Sequence, residues 1–306
     1  MSDAKVALGE RLFFEPRVSV SGRYSCASCH DPARAFSDGR AVAVGATGEA
    51  LPHNALALAN VAYNLSFGWD TPGVRTLEAQ MLQPLFNQHP IELGLKGREG
   101  ALCAELAADP GYREAFAHAF PSAAGGAPTI TIANLVKAIA AFERTLISGR
   151  SPFDRYVFDG EHAALSAEAK RGMSLFFSAR VGCAGCHSGF NFSGNWRDAQ
   201  GETGRAAFAS DGTSDRPLRV PGLRNVALTA PYMHDGRFAT LEAVLEHYSS
   251  LAAGRGRSPR YDPRLPRAPL TAAERAELVA FLESLTDMDF TRRFIEAESA
   301  VRVSAR

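Results

Sequence analysis

The chain has 306 residues, 46% of them hydrophobic and 22% charged, enough to bury one large core or two ordinary ones without help from disulfides. Lysine plus arginine and aspartate plus glutamate both total 33, so no global field draws the chain to nucleic acid or to an anionic membrane. Nor does any apolar run approach the roughly 20 residues of a bilayer span. A soluble protein of two domains is expected.

In chain order, the first pattern is Gly9, Glu10, Arg11, Leu12, Phe13, Phe14, followed by Cys26-Ala27-Ser28-Cys29-His30 and then Phe36-Ser37. Helical spacing follows over Thr76 to Phe86 and around Leu102 and Leu106. A longer amphipathic helix starts near Thr131, with Ile132, Leu135, Val136, Ile139, Phe142 and Leu146 on one stripe. The stretch from Pro121 to Pro128 reads as a loop. The opening pattern then returns. Gly172, Met173, Ser174, Leu175, Phe176, Phe177 ends a helix begun near Leu165, and Cys183-Ala184-Gly185-Cys186-His187 and Phe192-Ser193 come after it. Two further helices are expected over Thr240 to Ser250 and Thr271 to Leu285, with both threonines as N-caps followed by acids. The segments from Gly189 to Asp215 and from Gly254 to Pro269 read as surface loops.

A C-x-x-C-H motif places two thiols for thioether bonds to haem vinyl groups and sets the next histidine under the iron. Two such motifs in a duplicated context, without further cysteine pairs, disfavour a zinc site or a dithiol switch. The chain is thus expected to hold two covalently bound c-type haems through Cys26, Cys29, His30 and Cys183, Cys186, His187. The fold class is mostly α, two cytochrome c-like domains each wrapped around one haem with long loops. The domains are expected at 1–160 and 161–306. Because covalent haem attachment in bacteria normally follows export, a leader removed ahead of Met1, Ser2, Asp3 and a periplasmic location are expected. Cys103 lies outside both motifs and reads as a buried structural thiol. What fills the sixth position of each iron decides between electron transfer and peroxide chemistry.

Two further blocks are specific. One is Val220-Pro221-Gly222-Leu223-Arg224-Asn225-Val226 with Thr229-Ala230-Pro231-Tyr232-Met233-His234-Asp235-Gly236. The other is Trp69-Asp70 with Leu77, Glu78, Gln80, Pro84 and Pro90-Ile91-Glu92-Leu93-Gly94. On these blocks, and from about Leu8 to Leu285, the chain resembles the bacterial di-haem cytochrome c peroxidases, more closely their MauG-like branch. The resemblance implies an N-terminal peroxidatic haem and a C-terminal haem that transfers or stores charge. Many relatives block the peroxidatic iron with a loop histidine sixteen residues beyond the proximal one. Here that position is Ala46, which cannot ligate, and the nearest alternative is His53. An open iron, active without prior reduction, is therefore implied.

The same resemblance makes Glu92 the distal acid–base group, beside Gln80 and Pro84, although the stretch from Pro84 to Glu92 is two residues longer than usual. It sets the sixth ligand of the C-terminal haem eight residues after the helix-opening threonine, at Tyr248. His247 and Met233 are the alternatives. Trp69 falls where the family carries charge between the haems. Asn54, Thr229 and Pro231 match the positions that hold a structural calcium ion, the last two through backbone oxygens. The implied activity is a periplasmic peroxidase of MauG type, taking hydrogen peroxide and oxidising an external donor, which could be a side chain of a partner protein. The alternatives are a peroxide-detoxifying enzyme fed by a small cytochrome or cupredoxin, and a non-enzymatic electron-transfer cytochrome. His89, His118 and His162 read as surface or packing residues, and His234 as pocket support. Trp196 reads as a loop anchor or a surface electron port.

Overall fold

The computed structural model describes residues 1–121, 130–194, 208, 209, 214, 216–254 and 268–304. Trp196 and most of the three expected loops lie outside the described residues. Among those described, the helices are α1 (Asp3–Phe13), α2 (Leu77–Phe86), α3 (Glu99–Ala108), α4 (Pro110–Ala119), α5 (Ile132–Glu143), α6 (Pro152–Phe158), α7 (Ala167–Phe177), α8 (Leu241–Ala252), α9 (Ala272–Glu283) and α10 (Met288–Ser304). The strands described are β1 (Phe208–Ala209) and β2 (Leu218–Arg219), a short antiparallel pair. No described helix is long and apolar enough to cross a membrane.

The starts are set by side-chain caps. Thr76, Thr131, Thr240 and Thr271 each accept a backbone N–H from the first turn they precede. Ser166 does the same for α7, so that helix opens at Ala167 rather than at Leu165. α6 spans too few turns to show periodicity and instead begins on a Ser151–Asp154 capping box with Pro152 in its first turn. Cys103 sits half-buried on α3, less enclosed than its apolar neighbours suggested.

The duplication seen in the sequence is a duplication of packing. α1 crosses α5 and α7 crosses α9, and in each pair a glycine of the first helix lies against the backbone of the second. A Cβ on Gly9 would stand 1.9 Å from the Ala138 carbonyl oxygen, and one on Gly172 would stand 1.8 Å from that of Glu277. Backbone at that range cannot yield without moving the helix. Gly172→Ala is therefore expected to cost ~1–3 kcal/mol or more through overpacking. Gly100→Ala on α3, where a Cβ meets nothing within 4 Å, should cost nothing. Denaturant unfolding of the two variants checks the contrast.

Asn60 and Asn225 repeat the same logic, with φ of 61° and 60° in the left-handed region that asparagine tolerates. The Asn60 N–H donates to Leu146 O at 2.7 Å, and that of Asn225 donates to Leu285 O at 3.0 Å. Their side chains close the same junctions. The Ser148 N–H donates to Asn60 Oδ1 and the Asp287 N–H to Asn225 Oδ1, both at 2.8 Å.

Each half has its own aromatic core. Phe13, Phe36 and Phe142 pack in the first, and Phe153, Phe176, Phe192 and Phe281 in the second. The cores do not divide at residue 160. Phe153 of α6 lies in the second, where Asp154 holds Arg224 by two bonds of 2.8 and 2.9 Å. Phe290 and Phe294 of α10 return to the first and pack on Phe36 at ring-centre distances of 6.0 and 5.3 Å. Helices therefore cross between the halves in both directions.

Candidate haem sites

Both C-x-x-C-H motifs fold into one 3-10 turn, Cys26–Ser28 and Cys183–Gly185. The histidine N–H then donates to the first cysteine's carbonyl, at 3.0 Å for His30 and 2.9 Å for His187. In the second half that turn sets both thiols and the imidazole on the wall of one cavity. His30 Nδ1 lies 2.8 Å from Phe36 O, and His187 Nδ1 lies 2.8 Å from Phe192 O. A carbonyl oxygen only accepts, so Nδ1 is the protonated nitrogen and Nε2 keeps its lone pair. Burial also pushes both imidazoles below the usual histidine range, which favours the neutral, ligating form. The residues fit a haem in each half, with His30 and His187 as iron ligands oriented by a hydrogen bond behind them.

This orienting bond explains the repeated Phe-Ser pairs. Phe36 and Phe192 stand at φ of 64° and 52°, which turns the carbonyl to the histidine while the ring enters the core, 0% and 3% exposed. The repetition was visible in the sequence, but its role was not.

In the first half, Gln80 and Pro84 lie one turn apart on α2. The longer stretch after Pro84 runs outward through exposed Asn87, Gln88 and His89, then returns so that the Leu93 N–H donates to Pro84 O at 2.9 Å. Glu92 is thereby set beside Pro84. It is half-buried, and burial raises its carboxyl above the usual range. Burial above all, then the charges of Asp38 and Glu92, hold the Cys29 thiol up at about 11. Ala46 meets the same segment, its N–H donating to Glu92 O at 2.6 Å, while Glu49 Oε2 accepts the Ile91 N–H at 2.9 Å. Gly45 allows this approach, because a Cβ there would stand 1.9 Å from Ile91 O.

Glu143, at the end of α5, escaped the sequence reading. It is 4% exposed, its Oε2 has no hydrogen-bond partner among the described residues, and burial lifts its carboxyl to about 8. Burial above all, and then the Glu143 charge, raise the Cys26 thiol, so Glu143 stands near the first haem attachment.

In the second half a cavity is lined by Cys183, Cys186, His187, Met233 and Tyr248. His247 is not among its lining residues, and its ring packs on Phe238 at 5.1 Å. Trp69, Asn54 and His234 also line this cavity, at the junction with the first half. Trp69 Nε1 donates to Asn54 O at 2.9 Å, and its ring lies 6.0 Å from that of His53 and 6.4 Å from that of His234. The two histidines meet through their Nδ1 atoms at 3.1 Å, so His53 points to the junction. Asn54 Nδ2 donates to Met233 O at 2.8 Å and to Pro231 O at 3.2 Å. Asn54 and Pro231 therefore meet, whereas the Thr229 hydroxyl donates to Val226 O at 3.1 Å. No cluster of three or more His, Cys, Asp or Glu among the described residues could hold a metal ion.

Two duplicated helical halves, each presenting paired cysteines and an oriented histidine, define a two-haem c-type cytochrome. The family model for di-haem cytochrome c peroxidase matches residues 3–163. The chain is 37% identical to the methylamine utilization protein MauG of Methylorubrum extorquens over 292 residues, 93% of this chain and 79% of that protein. It is 33% identical to the cytochrome c peroxidase of Escherichia coli, over 92% of this chain and 58% of that one. Among solved structures, a MauG-like protein associated with microbial copper homeostasis superposes with a TM-score of 0.86 at 36% identity, covering 95% of this chain and 91% of that one. The chain belongs to the di-haem cytochrome c peroxidase family. It is an oxidoreductase of that family, with two c-type haems as its cofactors.

Proposed function

We propose that the chain is a periplasmic peroxidase of MauG type whose N-terminal haem reacts with hydrogen peroxide in the fully oxidised state. The observation that carries this reading is the bond from the Ala46 N–H to Glu92 O, at 2.6 Å. The loop position that would carry a blocking histidine packs directly beside the proposed distal acid, and its side chain is a methyl group. The haems, when bound, supply the redox chemistry by which peroxide, two protons and two electrons become two waters. The protein's part is to move the protons and to set where the charge rests. Glu92, made less acidic by burial, accepts a proton from incoming peroxide and returns it to the departing oxygen. Gln80 and Pro84 frame the same pocket. Trp69, fixed by its indole N–H on Asn54 O, joins the two halves. Tyr248 would supply the further ligand to an iron held by His187, and a phenolate there would favour the oxidised metal more than a thioether from Met233 would. We assign a calcium ion to Asn54, Pro231 and Thr229, whose amide and carbonyl oxygens are the neutral donors calcium takes; the Asn54 amide, which donates from Nδ2 to Pro231 O, would turn to offer Oδ1 instead.

The electron donor is proposed to be a side chain of a partner protein, a reading that rests on Ala46 and Tyr248 at the positions where the MauG-like branch differs from the other peroxidases. The peroxidase name of the Escherichia coli relative favours a second reading, in which a small cytochrome or cupredoxin donates. Stopped-flow addition of peroxide to the fully ferric protein tests the common core of both. A fast optical change is expected at once, and silence until one haem is reduced would remove the role given to Ala46. Tyr248→Met should raise the potential of the C-terminal haem. An unchanged potential would pass the ligand role to another residue of the cavity.

A further inference from the structure

The second cavity is lined by a cation that the described residues leave uncompensated. Arg219, at the end of β2, is 5% exposed and lines the same wall system as Cys183, Cys186 and His187. Its Nε donates to Gly68 O at 3.1 Å and its backbone N–H to Trp69 O at 2.7 Å. Among the described residues no carboxylate lies within ion-pair distance of it. The contrast is Arg224, equally buried, whose guanidinium is gripped at both ends by Asp154. Burial alone acts on Arg219, pulling its pKa down to about 10, with no acid pushing it back. An enclosed guanidinium of this kind is costly unless an anion with matching geometry meets it.

A planar carboxylate is what the fork of a guanidinium recognises, through two parallel N–H···O bonds. The group expected in this cavity brings two such carboxylates, the haem propionates. We propose that Arg219 receives a propionate of the C-terminal haem in a bidentate pair and so ties the edge of that haem to the Gly68–Trp69 segment. This rests on the reading of the cavity as a haem site. Arg219 is then a positioning residue, since its two backbone-directed bonds fix the Gly68–Trp69 segment while its terminal nitrogens fix the haem. Its positive charge also disfavours the more positive, oxidised iron, so it holds the potential of that haem up.

The test uses the holoprotein. Mass spectrometry first counts the covalently attached haems; fewer than two on the unaltered chain would remove the haem reading itself. With two attached, Arg219→Gln is expected to lower the midpoint potential of the C-terminal haem while that of the N-terminal haem stays in place. Arg219→Lys, which keeps the charge, should restore most of the shift. An unchanged C-terminal potential in a fully haem-loaded R219Q protein overturns the proposal. Should R219Q not fold, R219K decides by a different readout. Lysine contacts a carboxylate as a point charge rather than as a fork. The propionate bending mode in the resonance Raman spectrum must then move relative to the unaltered protein, and an unmoved mode overturns the pairing.

Discussion

Replacing Glu92 by glutamine is expected to slow the reaction of ferric protein with peroxide by ~10²–10⁴-fold, the range of a positioned general acid–base group. The amide keeps the shape and the half-buried setting of the carboxyl but can neither take the peroxide proton nor return it. The segment is held by backbone bonds at Ala46, Pro84 and Leu93 and by the Glu49 carboxylate on the Ile91 N–H, none of which the substitution touches. Folding and haem attachment should therefore be preserved, and the loss should appear in the rate of the chemical step. The pH profile separates this role from a packing role. Burial raises the Glu92 carboxyl above its usual range, so its ionised, base-competent form is lost on acidification at a higher pH than for an exposed glutamate. The acid limb of the unaltered enzyme is expected to lie correspondingly high and to vanish in E92Q. Stopped-flow rates across pH measure both, and a variant that keeps the limb and the rate would return Glu92 to an ordinary loop acid.

Local signals carried much of the architecture. Thr76, Thr131, Thr240 and Thr271 announce helix starts because a hydroxyl before an apolar stripe has one favourable use, and each caps its helix, as expected of Thr240 and Thr271. The C-x-x-C-H motifs fix their own geometry within five residues. What the sequence concealed depends on contacts made across the chain. Phe290 and Phe294 stand one turn apart on α10, but no local pattern says which core they enter, and only the rings of Phe36 and Phe142 in the first core show where they belong. Arg219 precedes Val220 and Pro221 in sequence, yet its meaning comes from the absence of a paired acid among the described residues, which no local pattern reports. The Phe-Ser pairs were visible as a repetition, but only the positive φ of Phe36 and Phe192 shows that the carbonyl, rather than the ring or the hydroxyl, meets the histidine.

The duplication also exposes Glu143 as a departure from the fold's own rule. Phe142 and Leu146 correspond to Phe281 and Leu285, since both leucines accept from an equivalent asparagine N–H. Glu143 then corresponds to Leu282, which lines the cavity of the second half. The fold needs no acid at this position. Its neighbour Arg144 offers little relief, because that guanidinium is held by Glu78 at 2.9 Å, and the Glu78 charge itself disfavours a second anion. The folded carboxyl titrates at about 8 against 4.5 when free. Between those values the unfolded chain has released the proton and the folded chain still holds it, so stability is full below about pH 4.5 and falls as pH rises towards 8. At 1.36 kcal/mol per unit, the loss by pH 7 is ~3 kcal/mol. Glu143→Leu, which installs the residue of the second half, should abolish that slope. The variant is expected to gain on the unaltered protein steadily from pH 5 to pH 8. Equilibrium unfolding in urea at the two pH values measures the gap, and a gap that does not widen with pH would mean that Glu143 finds a proton-independent partner in the folded protein.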